Sequence, residues 1–249
     1  MRTIRFGLSV MLVVFIGAIS VTPAQASIIT FTGGDTGVAA GGARPNSDAA
    51  AALFDAAVGS FTLITFESLA VGNFAALGVA PGVTATLTNA ENAFCNGICG
   101  TNDTDLGYNT TGGGSKYVRV VPPFNSAAGA TLTFSFTTPI DAFGAYFTGT
   151  ESGFPGLVNV NFNDGSSQAF NLPENGAGGG VLFWGFTDFG ASILSVSVNG
   201  GATAGSRDIF GVDDVRFRAA AVPEPGTLTL FASGVAAFLV ARRRRLVRR

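Results

Sequence analysis

From Thr62 to Phe217 the chain returns again and again to short apolar runs of six to nine residues, most with a period of two. Gly, Asn, Asp or Pro separates them. A period of two puts alternate side chains on opposite faces of an extended chain, one face toward a core. The clearest case is residues 131–137, TLTFSFT, where Leu132, Phe134 and Phe136 share a face. Comparable runs lie at 62–67, 83–89, 116–121, 142–148, 158–163, 167–172, 181–187, 193–199 and 209–217. Asn163-Asp164-Gly165 predicts a tight hairpin between two of them. Strands so close together leave no room for the crossover helices of a parallel α/β fold. The expected class is all-β, an antiparallel two-sheet β-sandwich of jelly-roll type. One helix interrupts the pattern near the N-terminus. Ala-rich residues 49–58 follow a capping triplet, Asn46-Ser47-Asp48, and stop at Gly59. Leu53, Phe54 and Ala57 are its expected packed stripe, and residues 33–45 are the expected glycine-rich loop before it.

The two ends have a different composition. Arg2 and Arg5 precede an uncharged, mostly apolar run from Phe6 to Val21, and Ala24-Gln25-Ala26 has the small-x-small form of a cleavage site. Residues 1–26 therefore read as a secretory signal peptide. The body is then residues 27–221. At the far end Pro223-Glu224-Pro225 leads into 15 uncharged residues, 227–241, and then Arg242, Arg243, Arg244 and Arg245. As a helix that run spans about 22 Å at ~1.5 Å per residue. This is short of a hydrocarbon core of ~30 Å, but snorkelling arginines and local thinning let such a segment cross. A single transmembrane helix is expected there, with the arginines held in the cytoplasm and the body outside.

Pro-Glu-Pro, an apolar helix and an arginine cluster, in that order, resemble the PEP-CTERM protein-sorting signal of Gram-negative bacteria. The resemblance covers residues 222–249. It implies a partner, the integral-membrane exosortase, which handles the tail at the inner membrane. It also implies delivery to the outer surface or extracellular matrix, often alongside exopolysaccharide. It implies no single activity for the body. Within the body, TLITFES at 62–68 and FGVDDVRF at 210–217 resemble the first and last strands of bacterial sugar-binding jelly rolls.

Charge and composition exclude several activities. The body holds six bases against 15 acids, a net −9, with a single lysine. Nucleic-acid binding needs clustered Lys and Arg to neutralise phosphates, so no nucleic-acid partner is expected. The chain has no histidine. Ser–His–Asp and Cys–His triads and His-based zinc sites are thereby excluded.

Cys95 and Cys99 are the only cysteines. In an exported body they are expected to form a disulfide. No cofactor is required, but calcium fits the oxygen-rich composition, because Ca²⁺ takes carboxylate and carbonyl ligands. Two constellations qualify. Glu67 with Asp213 or Asp214 would form a site if the first and last strands are neighbours. Asn102-Asp103-Thr104-Asp105-Leu106-Gly107 has the D-x-D-x-G spacing of half a calcium loop, without the distant Glu of an EF-hand. Solvated turns and caps are the plainer account of both, because Asp, Asn and Gly favour turns, and of the two the strand-end site is favoured. Glycoside hydrolysis needs two carboxylates across a cleft. Glu67, Glu91, Glu151 and Glu174 are the body's glutamates, and none lies in a catalytic motif, so the chain is not read as an enzyme. A sugar platform would draw on Trp184, Tyr108, Tyr117 or Tyr146, though core burial is the expected fate of Trp184. Asn102-Asp103-Thr104 and Asn109-Thr110-Thr111 match the N-glycosylation pattern, which says little in a bacterial chain. The glycine triplets at 112–114 and 178–180 read as turns. The reading that joins these features is an exported structural or adhesive surface protein associated with exopolysaccharide. A calcium-dependent carbohydrate-binding module and a secreted glycoside hydrolase are the alternatives.

Overall fold

The computed structural model describes residues 28–91, 95–124, 129–151, 156–173, 175–176, 178–200, 202–203, 206–221 and 234–235. The signal peptide, Pro223, Glu224, Pro225, the arginines 242–245 and nearly all of the 227–241 apolar run lie outside the described residues. Among the described residues no helix is long and apolar enough to cross a membrane.

The elements begin with β1 (Ile29–Thr36), α1 (Pro45–Val58), β2 (Thr62–Ile64), β3 (Gly72–Asn73), β4 (Ala76–Ala80) and β5 (Val83–Thr88). Next come β6 (Gly97–Cys99), β7 (Tyr117–Val120), β8 (Ala130–Thr148), β9 (Gly156–Phe162) and β10 (Ser167–Leu172). The chain continues through β11 (Gly180–Thr187), β12 (Ile193–Gly200), β13 (Ala202–Thr203), β14 (Ser206–Arg207) and β15 (Phe210–Ala219). Every described pairing is antiparallel.

The runs 131–137 and 142–148, expected as separate strands, form one strand of 19 residues, β8. Its first half pairs with β12 and β5, and its second half with β11 and β15. One layer is thus β10-β9-β12-β8-β5-β4. The other is β1-β11-β8-β15, with β2 and then β7, β6 and β3 beyond β15. The layers face each other as a sandwich. Phe134 meets Phe143 at 5.7 Å between ring centres, and Phe170 of β10 meets Trp184 and Phe186 of β11 at 5.7 and 6.2 Å. The shared core holds Leu132, Phe134, Val160, Val196, Phe147, Trp184, Phe186 and Val212.

The second layer is covered on its outer face too. Val181 and Phe183 point away from the sandwich and pack with Ala50, Ala51, Phe54 and Val58 of α1. This explains why the VLFWGF run of β11 is continuously apolar: both of its faces are buried. Spacing 50, 51, 54, 58 is one helical stripe. The expected stripe was one position out of phase. Leu53 is 65% exposed and Ala57 also faces solvent, while Phe54 alone of the three is enclosed.

α1 also starts earlier than its sequence suggests, at Pro45, where the missing N–H costs nothing. Its cap is not local. Asp35, at the end of β1, accepts from the backbone N–H of Asn46 (3.1 Å) and Ser47 (2.8 Å), from Ser47 Oγ (2.7 Å) and from Asn46 Nδ2 (2.9 Å). A carboxylate there also complements the helix dipole. Burial alone would raise the Asp35 pKa, but these bonds outweigh it and hold the group below its usual range. β1 was not expected at all: the first strand was placed at 62–67, and residues 33–45 were read as loop. β1 runs on to Thr36 because glycine lets α1 lie directly on it: a Cβ at Gly33 would come 2.3 Å from the Asn46 carbonyl oxygen.

Candidate functional site

Glu67, expected to meet Asp213 or Asp214, converges with both of them on one loop, residues 109–116. Glu67 Oε1 accepts from Asn109 Nδ2 (2.8 Å) and from the backbone N–H of Ser115 (2.9 Å) and Lys116 (2.8 Å). Asp213 Oδ2 accepts from the N–H of Thr110 (2.7 Å) and Thr111 (3.2 Å), from Thr110 Oγ1 (3.1 Å) and from Asn109 Nδ2 (3.2 Å). Asp214 Oδ2 takes Thr110 Oγ1 at 2.9 Å, and Asp214 Oδ1 takes Thr111 Oγ1 at 2.7 Å. Asn109 therefore bridges Glu67, just beyond β2, and Asp213 of β15 through one amide. Gly114 permits the approach, since a Cβ there would come 2.3 Å from Glu67 Oε1.

The convergence of Asp213 and Asp214 needs a bulge. Neighbours on a regular strand face opposite ways. In β15 the register against β8 jumps between Asp213 and Arg216, and Asp214 has φ 47°. Aspartate tolerates this left-handed conformation better than most residues. The extra residue turns both carboxylates onto the same threonines. As placed, the three carboxylates are acceptors of N–H and O–H bonds. Among the described residues no three His, Cys, Asp or Glu side chains are already gathered as a metal cage.

Asp213 is fully buried, and among the described residues its Oδ1 has no hydrogen-bond partner. Burial, and then the charge of Asp214, push its pKa well above the usual carboxylate range. A group that holds its proton more tightly when folded destabilises the fold as the unfolded chain ionises first. Asp213 thus makes stability fall as pH rises from about 4 toward neutrality. Asp213→Asn keeps an acceptor for Thr110 and loses the titration. Relative to the wild type it is expected to flatten the difference in unfolding free energy between pH 4.5 and 7.5 by at least about 1 kcal/mol, roughly one pKa unit. Parallel slopes for the two proteins would show that burial and the Asp214 charge leave Asp213 unperturbed.

The clamped loop forms one wall of a groove of about 510 Å³. Residues 38–44 form the other wall, and Asp48, Asn102 and Tyr108 complete the lining. Two fasteners hold the walls. The Tyr108 hydroxyl donates to the Val38 carbonyl, and Arg44 Nη2 donates to the Thr110 carbonyl at 2.9 Å. Burial pushes the Tyr108 hydroxyl up to about 12, so it stays a donor. Arg44 is neutralised locally: its Nε lies 2.9 Å from Asp48 Oδ1, and its guanidinium sits 4.6 Å over the Tyr146 ring. The surface inside the groove mixes backbone groups, Asn, Thr and one balanced ion pair with the apolar side chains of Val38, Ala39, Ala40 and Ala43. Trp184, Tyr108, Tyr117 and Tyr146 are all buried, at 3%, 1%, 0% and 3% exposure, so none offers a stacking platform.

The other sequence candidates separate. Cys95 and Cys99 form the expected disulfide, closing a ring around Asn96, Gly97 and Ile98. Such a short loop stiffens its own neighbourhood more than the whole fold. Glu91 pairs with Arg207. Glu174 lies outside the described residues. Asp103 caps its own turn, accepting from the N–H of Asp105 (3.0 Å) and Leu106 (3.2 Å), as a solvated turn would. Asn109, Thr110 and Thr111, which sequence offered only as a glycosylation pattern, are the central donors of the clamp. Arg44 and Asp35 gave no sequence signal.

No curated protein sequence matches the chain. Among solved structures, the K2 cleaved adhesin domain of Lys-gingipain aligns at a TM-score of 0.40 and 16% identity, over 65% of this chain and 99% of that one. The CBM22-1 xylan-binding domain of Paenibacillus barcinonensis Xyn10C aligns at 0.35 and 12%, over 66% and 97%. The C-terminal family 22 carbohydrate binding module of Clostridium thermocellum Xyn10B aligns at 0.35 and 16%, over 68% and 98%. The tail matches a family model: residues 221–245 fit the PEP-CTERM protein-sorting motif, and this chain carries that motif.

Proposed function

We propose that this is an exported surface or matrix protein, sorted by exosortase through its PEP-CTERM tail, whose body holds a polyhydroxylated chain such as exopolysaccharide without cleaving it. The sorting motif at 221–245 supports export and processing at the inner membrane. The groove supports the rest and is the observation that carries the binding reading. Its walls present backbone groups of residues 38–44 and 110–114 and the exposed Asn102 side chain, which suit a hydroxyl-rich ligand, while the Asn109, Thr110 and Thr111 side chains are committed to the clamp. Its one cation, Arg44, is already paired with Asp48, which disfavours phosphate and nucleic acid. Its one carboxylate among the lining residues is Asp48, where glycoside hydrolysis uses two. Recognition would rest on hydrogen bonds rather than stacking.

Gly112 offers a clean test. It lines the groove, has an ordinary φ, and a Cβ there meets nothing within 4 Å. Gly112→Trp is therefore expected to fold normally and fill the groove. In affinity electrophoresis through the producing cell's own exopolysaccharide, wild type should be retarded, and Gly112→Trp should lose at least tenfold in affinity. Equal retardation of the two, at equal stability, would remove the groove from the binding surface.

A further inference from the structure

A second pocket, of about 250 Å³, lies apart from the groove and is lined by Asp105, Leu106, Phe124, Glu151, Arg207, Asp208 and Ile209. Three of these are carboxylates, and among the described residues none of the three is in an ion pair. Arg207 does not balance them, because it is committed to Glu91, to the Pro122 carbonyl (2.9 Å) and to the face of Phe124. Asp208 is 4% exposed. Its Oδ2 accepts from the Glu151 N–H at 3.0 Å, but among the described residues its Oδ1 has no hydrogen-bond partner. A buried carboxylate oxygen left without a donor is costly, and it lines this pocket.

Packing brings the third carboxylate to the same place. The turn from Asp103 to Gly107 is closed by Asp103 N–H donating to the Gly107 carbonyl at 3.0 Å. It lies against two glycines that have no room for a side chain. A Cβ at Gly149 would come 3.0 Å from the Asp105 carbonyl oxygen, and one at Gly179 would come 2.5 Å from that of Thr104. The turn is thereby seated next to Glu151.

We propose that Asp105, Glu151 and Asp208 bind one calcium ion in this pocket. The donors are all oxygen, which selects a hard cation. They are not drawn together in advance. Asp208 is the fixed ligand, and Asp105 and Glu151, on the more open rim, close onto the ion. Calcium accepts such uneven geometry and fills the remaining positions with carbonyls and water, whereas magnesium demands a near-ideal octahedron. The electrostatics agree with the geometry. Burial, against the lowering effect of the Glu151 N–H bond and with help from the Glu151 charge, pushes the Asp208 carboxyl up to about 8. Burial and then Asp105 raise Glu151. A divalent ion would relieve both repulsions. The site does not depend on the groove or on what the groove holds.

The test is calcium titration of the full-length chain in detergent after chelator treatment, by calorimetry and by thermal midpoint. Wild type is expected to bind calcium and gain several degrees, and magnesium at the same concentration to give no gain. Asp208→Asn and Glu151→Gln should each lower calcium affinity at least tenfold, while Glu67→Gln, at the loop clamp, should leave it unchanged. Should Asp208→Asn fail to fold, Glu151→Gln carries the same test. No calcium binding by wild type, an equal response to magnesium, affinity retained in both pocket variants, or an equal loss in Glu67→Gln would each overturn the assignment.

Discussion

Replacing Phe54 by alanine is expected to cost about 3–5 kcal/mol, the range for deleting a fully buried aromatic ring. Phe54 is 0% exposed and is the main anchor of α1. Its ring meets Phe31 of β1 at 5.7 Å and Phe183 of β11 at 5.6 Å. Beneath it the sheet is floored by glycine: a Cβ at Gly185 would come 3.1 Å from Phe54 Cδ2, and one at Gly144 would come 3.3 Å from Phe54 Cζ. With no side chains on that floor to close over the gap, alanine leaves a cavity that cannot collapse. The other helix contacts, Ala50, Ala51 and Val58, are small. The loss should appear as a lower denaturant midpoint at an unchanged m value. A loss under about 1 kcal/mol would mean that α1 is not a packed layer.

The second large effect is expected at Gly107. Its φ is +100°, and a Cβ there would lie 2.4 Å from the Gly211 amide nitrogen and 2.7 Å from the Gly211 Cα. Both obstacles are backbone, so neither can rotate away. Gly107→Ala therefore combines backbone strain of about 1–3 kcal/mol with overpacking of about the same size, roughly 3 kcal/mol or more together. The consequence reaches the site. Gly107 precedes Tyr108, whose N–H donates to Thr148 Oγ1 at 2.9 Å and whose hydroxyl fastens the groove wall at Val38. Lifting the turn off β15 should loosen that wall. Gly107→Ala is expected both to unfold earlier and to be less retarded by exopolysaccharide than wild type at temperatures where it remains folded. Wild-type stability in the variant would contradict the close approach of Gly107 to β15.

The period-two pattern made the sandwich legible, because alternation is a local property and survives without knowledge of partners. The bend that joins 131–137 to 142–148 was not legible, since Pro139 between them reads as a stop until both halves of β8 find neighbours. α1 was legible as an element but not in phase, because alanines on every side give a weak stripe and its cap, Asp35, lies 11 residues before Asn46. The approach of Glu67 to Asp213 or Asp214 was foreseen only on the condition that the strand at 62–67 neighbours the last one; β2 does pair with β15, although β1 precedes it as the first strand. That both aspartates face one loop did not follow, because a strand sends neighbours to opposite faces unless a bulge intervenes, and the bulge exists only against β8. Asn109, Thr110 and Thr111 carry no signature of a clamp. Their donors matter only because three carboxylates arrive from distant strands.

Delivery of this body to the cell exterior by its tail is tested most directly by replacing Pro223-Glu224-Pro225 with three alanines and following both chain length and location. The wild-type chain should lose its arginine cluster and accumulate at the outer surface or in the matrix, while the variant should stay in the inner membrane with Arg242 to Arg245 intact. Identical processing and identical location of the two chains would contradict the sorting role assigned to the motif.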